Sequence, residues 1–118
     1  MNRITLLLAL TLGLLLAACG EPLPPDKAAY AGDWRGPQMR LVITPGGRVV
    51  YKRQKEGGNV EVDAPIKQFE GDNFLVGVGP LTTTFVVSKP PTQVDGKWKM
   101  TVDGVELTRM SGADEART

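Results

Sequence analysis

Histidine is absent from this chain of 118 residues, and cysteine occurs once, as Cys19. Without histidine the chain can form neither a Ser-His-Asp triad nor an imidazole site for zinc, copper or iron. A single cysteine allows no internal disulfide and no cluster of thiolate ligands. We therefore expect no metal ion and no other cofactor.

Motifs for other kinds of catalysis are also missing. The chain has no Ser-x-x-Lys sequence, so no serine has the lysine that this class of enzymes uses. Gly77-x-Gly79 precedes a proline and a strand rather than a helix, which excludes a phosphate-binding loop. Glu61 and Asp63 are spaced to share one face of a strand, but nothing in the sequence indicates the cleft that a carboxylate pair needs for glycoside hydrolysis. The sequence predicts a protein that is not an enzyme.

The first residues have the pattern of a secretory signal. Met1-Asn2-Arg3 supplies one positive charge, and residues 4–16 are apolar apart from two threonines and one glycine. This run is too short to cross the bilayer as a helix, which takes about 20 residues. A basic start, an apolar centre and a small-residue end are typical of a cleaved leader, and we predict a signal peptide over residues 1–18.

The end of this leader resembles the lipobox of bacterial lipoproteins. Leu16-Ala17-Ala18-Cys19 matches that motif at all four positions. The resemblance implies that the Cys19 thiol is diacylglycerated, that cleavage precedes it, and that acyl groups such as palmitate anchor the protein to a membrane. Gly20 in place of aspartate implies, in the enterobacterial sorting pattern, the outer membrane with the domain in the periplasm. The alternative is an ordinary leader with a cysteine near its cleavage site.

A proline-rich segment separates the leader from the rest of the chain. Residues 20–27 contain three prolines, which favour extended backbone at ~3.1 Å per residue. We predict a tether over residues 19–31, in which Asp26 is a candidate cap for a short helical turn. The hydrophobic content of 42% and the charged content of 23% are typical of a globular chain. We place that domain at residues 32–110 and a tail at residues 111–118.

The domain shows short strands separated by turn residues, and no segment keeps a helical period. The last hairpin is the clearest, because residues 97–102 alternate strictly and Asp103-Gly104 is a favoured two-residue turn. This turn fixes a register that pairs Val102 with Val105, Met100 with Leu107 and Trp98 with Arg109. Seven strands are predicted at residues 39–44, 48–53, 60–69, 73–78, 81–88, 97–102 and 105–109, with the third interrupted near Pro65.

This order of strands predicts an all-β fold, an antiparallel meander that closes into a small barrel or a strongly curled sheet. Gly32-Asp33-Trp34 at its start and Arg109 at its end resemble a reduced lipocalin (calycin) pattern. The resemblance implies that the arginine packs over the tryptophan in a cation–π contact of about 0.5–2 kcal/mol. The family's Thr-Asp-Tyr motif is absent, and an ordinary core tryptophan with a surface arginine is the alternative. The side chains expected to fill the interior are Trp34, Tyr51, Phe69, Phe74, Phe85, Trp98 and Met100.

Charge is segregated along the chain. Residues 35–55 contain six basic residues and no acidic one, whereas residues 56–72 contain five acidic residues and only Lys67. Arg40, Arg48 and Lys52 are predicted to point outward on one hairpin, where they are candidate contacts for anionic lipid, an anionic envelope polymer or an acidic envelope protein. The alternative is a solvated strand whose charges prevent edge pairing. The compartment excludes nucleic acid as a partner.

We therefore expect a membrane-anchored envelope lipoprotein that serves as a non-catalytic binding or structural module. The alternative is a lipocalin-like carrier that holds a small apolar ligand or an acyl chain. An open apolar interior of about 300 Å³ or more favours the carrier. A filled interior leaves the outer surface as the place for function.

Overall fold

A computed structural model describes residues 21–111. The predicted signal peptide, Cys19 and the predicted tail beyond Ser111 lie outside the described residues. The described chain forms a 3₁₀ helix at Pro25–Tyr30 and nine strands: β1 Gly32–Gly36, β2 Met39–Ile43, β3 Arg48–Lys55, β4 Gly58–Glu70, β5 Asn73–Val78, β6 Leu81–Phe85, β7 Val87–Val94, β8 Lys97–Val102 and β9 Val105–Arg109. Within this part of the chain, no helix is long and apolar enough to span a bilayer.

The strands form one antiparallel sheet in the order β6-β5-β4-β3-β2-β1-β9-β8-β7. Consecutive strands pair along the sheet, except that β6 and β7 lie at its two opposite ends. Strands β1 and β9 also pair, with Trp34 opposite Arg109. The sheet curls strongly into a half-barrel. The predicted all-β antiparallel meander is confirmed, and its shape is consistent with a lipocalin-like barrel.

The last hairpin has the predicted register. Val102 pairs with Val105 and Met100 with Leu107. Asp103 and Gly104 have φ angles of +49° and +80°, as a type I′ turn requires of both its central residues. Met100 and Leu107 are buried in the core, so the alternation of this hairpin also assigned its inner face correctly.

Residues 21–111 form nine strands, where the sequence predicted about seven. One addition is β1, and the other arises because the predicted strand at residues 81–88 is divided at Val86 into β6 and β7. Strand β7 continues through Pro90 and Pro91, beyond residue 88, where the predicted strand ends. Proline is tolerated there because β7 is at the edge of the sheet, where an N–H group is not needed on the outer side.

Strand β4 is interrupted near Pro65, as predicted. It pairs with β3 up to Pro65, opposite Arg48. From Ile66 it pairs with β5, with a register shift between Ile66 and Gln68. This change of partner lets the sheet turn back on itself, because a bulge bends the strand and increases its local twist.

Aromatic side chains fill the interior of the curled sheet. Phe74 stacks on Phe85 with ring centroids 5.1 Å apart, and Tyr51 meets the Phe85 ring edge-on at 4.9 Å. Of the side chains predicted to fill the interior, five are buried, namely Trp34, Tyr51, Phe74, Phe85 and Met100. The other two, Phe69 and Trp98, are partly buried and pack against that cluster.

The segment predicted as a tether contributes to the domain. Tyr30 is a core residue with 3% of its surface exposed, and its hydroxyl donates to the Asp72 carbonyl at 2.8 Å. Burial, together with the nearby Asp72 and Asp26 carboxylates, raises the pKa of Tyr30 to about 12. The residue that precedes the helix is Pro24, and Asp26 lies within the first turn instead of capping it. The packed domain therefore begins before the predicted residue 32.

Candidate binding surface on the outer face of the sheet

Strand alternation places a row of ionic side chains on the outer face of the sheet. Trp34, Leu41 and Tyr51 point inward and are buried, so their neighbours in sequence point outward. Arg35 pairs with Arg40, Arg40 with Lys52, and Lys52 with Glu61. This row of Arg35, Arg40, Lys52 and Glu61, which we call the ionic row, crosses strands β1 to β4.

Asp33 holds the first two arginines of the row. Its carboxylate oxygens accept hydrogen bonds from Nε and Nη2 of Arg40 at 3.1 and 3.0 Å, and from the same atoms of Arg35 at 3.4 and 3.1 Å. Asp33 is 8% exposed. Burial alone raises the pKa of this carboxyl, but the hydrogen bonds and charges of Arg40 and Arg35 outweigh it and lower the pKa below its ordinary value of 3.8. The group is therefore an anion at neutral pH.

The charge segregation along the chain does not persist in space. Strand β4 brings its acidic residues beside basic β3, where Arg48 Nη2 lies 2.8 Å from Asp63 Oδ1 and Glu61 pairs with Lys52. Of the three predicted contact residues, Arg40 and Lys52 therefore come together, whereas Arg48 lies in a separate exposed ion pair. Glu61 and Asp63, which were predicted to share a strand face, do so. Both lie on β4, which pairs with the basic strand β3.

Arg40 and Lys52 border two depressions in the surface. On one side they form, with Val42 and Val50, a shallow depression of about 160 Å³. On the other side they line a groove of about 330 Å³ that runs along the end of the β1–β2 and β3–β4 hairpins. The Arg40 side chain is 50% exposed. The pair can therefore present two cations with an apolar floor between β2 and β3.

Two larger concavities occur in the described part of the chain. A groove of about 490 Å³ runs beside β7 and includes Lys99, Thr101 and Glu106, which belong to the outward face of the β8–β9 hairpin. A second concavity of about 600 Å³ lies at one end of the half-barrel and is lined by Trp98 and Arg109, among others. Neither is an enclosed apolar chamber of the kind that a lipocalin-like carrier would use.

Arg109 lies between two tryptophan rings. Its guanidinium carbon is 5.9 Å from the centroid of Trp34 and 5.0 Å from that of Trp98. The first contact is the one that the lipocalin resemblance implies, and the second joins two residues that the predicted hairpin register places opposite each other. Gly32 is needed here because a Cβ at that position would lie 2.5 Å from Arg109 Cδ. The strict alternation of the last hairpin was the sequence feature from which the contact between Arg109 and Trp98 could have been predicted.

The described residues contain no group of three or more acidic, cysteine or histidine side chains placed to hold a metal ion. No family model, no curated protein and no solved structure matched this chain in the comparisons. The functional assignment therefore depends on the sequence motifs and the geometry described above.

Proposed function

We propose that this chain is a lipid-anchored lipoprotein of the bacterial envelope, attached through Cys19 to the outer membrane and facing the periplasm. Its β domain acts as a non-catalytic module that contacts anionic groups through the exposed pair Arg40 and Lys52. The observation that carries this proposal is the combination of a filled interior with a cationic pair on the outer face.

The anchor is supported by the agreement of three features of the sequence. The basic start, the short apolar run and the lipobox-like Leu16-Ala17-Ala18-Cys19 have the right order and spacing. Two or three acyl chains hold a protein to a bilayer for practical purposes, since one chain alone binds reversibly.

The packing of aromatic side chains in the interior supports a role for the outer surface. A carrier needs a cavity of roughly 300–1,000 Å³ that surrounds most of its ligand. Here Phe74, Phe85 and Tyr51 are buried and pack against one another inside the curled sheet. Arg40 and Lys52, by contrast, lie on adjacent strands and border open depressions, where phosphate or carboxylate groups can reach both side chains.

Native mass spectrometry of the protein, extracted gently from its own membranes, tests the proposal. We expect a mass that includes the acyl groups on Cys19 and no small passenger molecule. The Cys19→Ala variant should lose the acyl mass and the membrane association. An unmodified Cys19 in the wild-type protein would overturn the anchor. A reproducible passenger of a few hundred daltons would favour the carrier function and direct attention to the concavity at Trp98 and Arg109.

A further inference from the structure

Strand β6 ends the sheet with an exposed and uncharged edge. Its single strand partner among residues 21–111 is β5. Leu81 is 82% exposed and Val78, its pairing partner on β5, is 70% exposed, and the three threonines that follow Leu81 are exposed as well. An edge of this kind is a template for pairing with another strand.

The two edges of the sheet differ in their capacity to pair. The other edge, β7, contains Lys89, Pro90 and Pro91, and proline has no N–H group to donate to a neighbouring strand. Register shifts also occur along β7 between Val87 and Lys89 and between Lys89 and Thr92. A head-to-tail chain of molecules that joins β6 to β7 is therefore disfavoured, and β6 is left to pair with another β6.

The hairpin geometry determines which groups of β6 are available. Val78 and Leu81 flank the two-residue turn Gly79-Pro80, so they form a hydrogen-bonded pair, and such pairs alternate along an antiparallel ladder. Thr83 therefore bonds to β5, whereas the N–H and C=O groups of Thr82 and Thr84 point away from it. Val86 has the same parity, and its N–H and C=O groups are indeed bonded to Asp103 on the far side.

We propose that two copies of this protein pair their β6 strands antiparallel about a two-fold axis at Thr83. In this register Thr82 of each copy forms a hydrogen-bonded pair with Thr84 of the other. Moving the axis to Thr82 would pair Thr84 with Pro80, which has no N–H group. Moving it to Thr84 would pair Thr82 with Val86, whose polar groups are already occupied by Asp103. The register centred on Thr83 is the one that satisfies both threonines.

The charge and shape of the edge fit a second copy of the chain. Residues 73–88 contain no charged side chain, so two copies approach without repulsion, and a charged partner would find no complement. In this register Leu81 would lie across from Phe85 of the other copy, which reduces the exposure of Leu81. A two-fold contact of this kind closes after two molecules and does not produce a fibre.

The contact is small, because one strand pair buries less than the ~800 Å² per partner of a standard interface. We therefore expect a weak dimer in solution. Confinement to a membrane raises the effective concentration of one copy near another, so the strength of pairing, although not its geometry, rests on the anchor of the proposed function.

Cysteine cross-linking of the full chain in its own membranes tests the pairing. Thr83 would face its own symmetry mate in a non-hydrogen-bonded pair, where Cα atoms are ~4.5 Å apart and a disulfide can form. With a thiol oxidant, Thr83→Cys should give a covalent dimer. Thr82→Cys is the matched control, because its two copies are offset by two residues in this register, beyond the ~7 Å reach of a disulfide. No dimer with Thr83→Cys, or equal dimer with both variants, would overturn the proposal.

A second pair of variants separates pairing from chance collision. Leu81→Lys added to Thr83→Cys should abolish the covalent dimer, because in this register it places a charge across from Phe85 of the other copy. Val94→Lys, at an exposed position of the other edge, should leave the dimer unchanged. The reverse result would contradict the β6 pairing. Peptide mapping of the cross-linked protein distinguishes the two proposals. A disulfide through Cys19 in the wild type would show an unlipidated thiol and overturn the anchor. A disulfide at position 83 depends on the pairing of β6 alone.

Discussion

Arg109 connects the first and last strands of the domain, and its side chain leaves no room for a Cβ atom at Gly32. It lies over Trp34 and Trp98, and its aliphatic stem passes directly over the Gly32 backbone. Gly32 also has a φ of +148°, which L-residues with side chains rarely adopt. A side chain at position 32 would therefore face both an unfavourable backbone conformation and a clash with the Arg109 side chain.

Gly32→Ala should therefore destabilise the protein by roughly 1–3 kcal/mol, the range for a residue forced into a disfavoured backbone conformation. The matched control is Gly46→Ala, because a Cβ there would lie 3.8 Å from its nearest neighbour, Thr44 Oγ1. That change should be neutral or slightly stabilising. Chemical denaturation of both variants measures the difference, and equal unfolding midpoints would contradict this account of the Arg109 contact.

Asp33 makes the stability of the domain depend on acid pH. Because its pKa in the folded protein is lowered below 3.8, the folded state binds the proton less tightly than the unfolded state. The contribution of Asp33 to stability is then fully present above its ordinary pKa and is lost as the pH falls through the lower, folded value.

Asp33→Asn should flatten this acid dependence and lower the free energy of unfolding at neutral pH by roughly 1–3 kcal/mol, as expected for hydrogen bonds to a charged group. Denaturation curves between neutral and acid pH give both quantities. Asp63→Asn is the comparison, since its ion pair with Arg48 is exposed on both sides and should contribute less than ~1 kcal/mol. An unaltered acid dependence in Asp33→Asn would show that other groups cause it.

At the scale of elements, the Asp103-Gly104 turn does more than reverse the chain. The Asp103 N–H donates to the Val86 carbonyl at 2.8 Å, and its carboxylate accepts from the Val86 N–H at 2.9 Å. These bonds fix the point where the chain passes from β6 at one end of the sheet to β7 at the other. The turn therefore ties the β8–β9 hairpin to both ends of the sheet.

Asp95-Gly96 offers a matched comparison, because Asp95 has a φ of +52° in an equivalent turn and no described bond to the Val86 corner. Both Asp95→Ala and Asp103→Ala should lose the turn preference of aspartate. Asp103→Ala should lose about 0.5–1.5 kcal/mol more, because the exposed Val86 N–H exchanges its carboxylate partner for water. Thermal unfolding of the pair gives this difference, and equal losses would mean that the corner bond contributes nothing.

The strands that the sequence missed have identifiable causes. Strand β1 is short and contains two glycines and two charged residues, and it becomes a strand through pairing with β2 and β9 on its two sides. Strand β7 contains Pro90 and Pro91, which local rules assign to loops. Both depend on partners distant in sequence or on an edge position, and neither condition is visible in a local pattern.

For the whole molecule, the distribution of charge decides how the proposed surface would work. Acidic β4 lies beside basic β3, so attraction to an anionic membrane comes from Lys52 and the exposed part of Arg40 rather than from the whole basic hairpin. Lys52 is the better position to test, because Arg40 also stabilises Asp33.

Lys52→Glu should weaken binding to anionic vesicles by about 30-fold at low salt, since each charge near such a surface contributes about 1 kcal/mol and reversal changes two units. The control is Lys97→Glu, another exposed lysine, on β8. Co-sedimentation of the chain without its leader, at low and raised salt, measures the effect. If both reversals weaken binding equally, net charge rather than the ionic row is responsible.

The sequence by itself determined the local features of this protein. Strict alternation and Asp103-Gly104 specified the last hairpin, its register and its buried face, and the order of strands and turns predicted the antiparallel meander. These features follow from side-chain period and turn chemistry within a few residues of each other. The leader and its cysteine are likewise local patterns, and their prediction awaits the mass measurement.

Only the tertiary structure decided which distant groups meet. It placed Tyr30 in the core, brought Asp33 to two arginines, and set acidic β4 against basic β3. It also left β6 exposed while prolines protect β7. The physical reason is that curvature and pairing across the sheet depend on the whole set of contacts, so charge neutralisation and free edges arise from the fold as a whole and not from any short stretch of sequence.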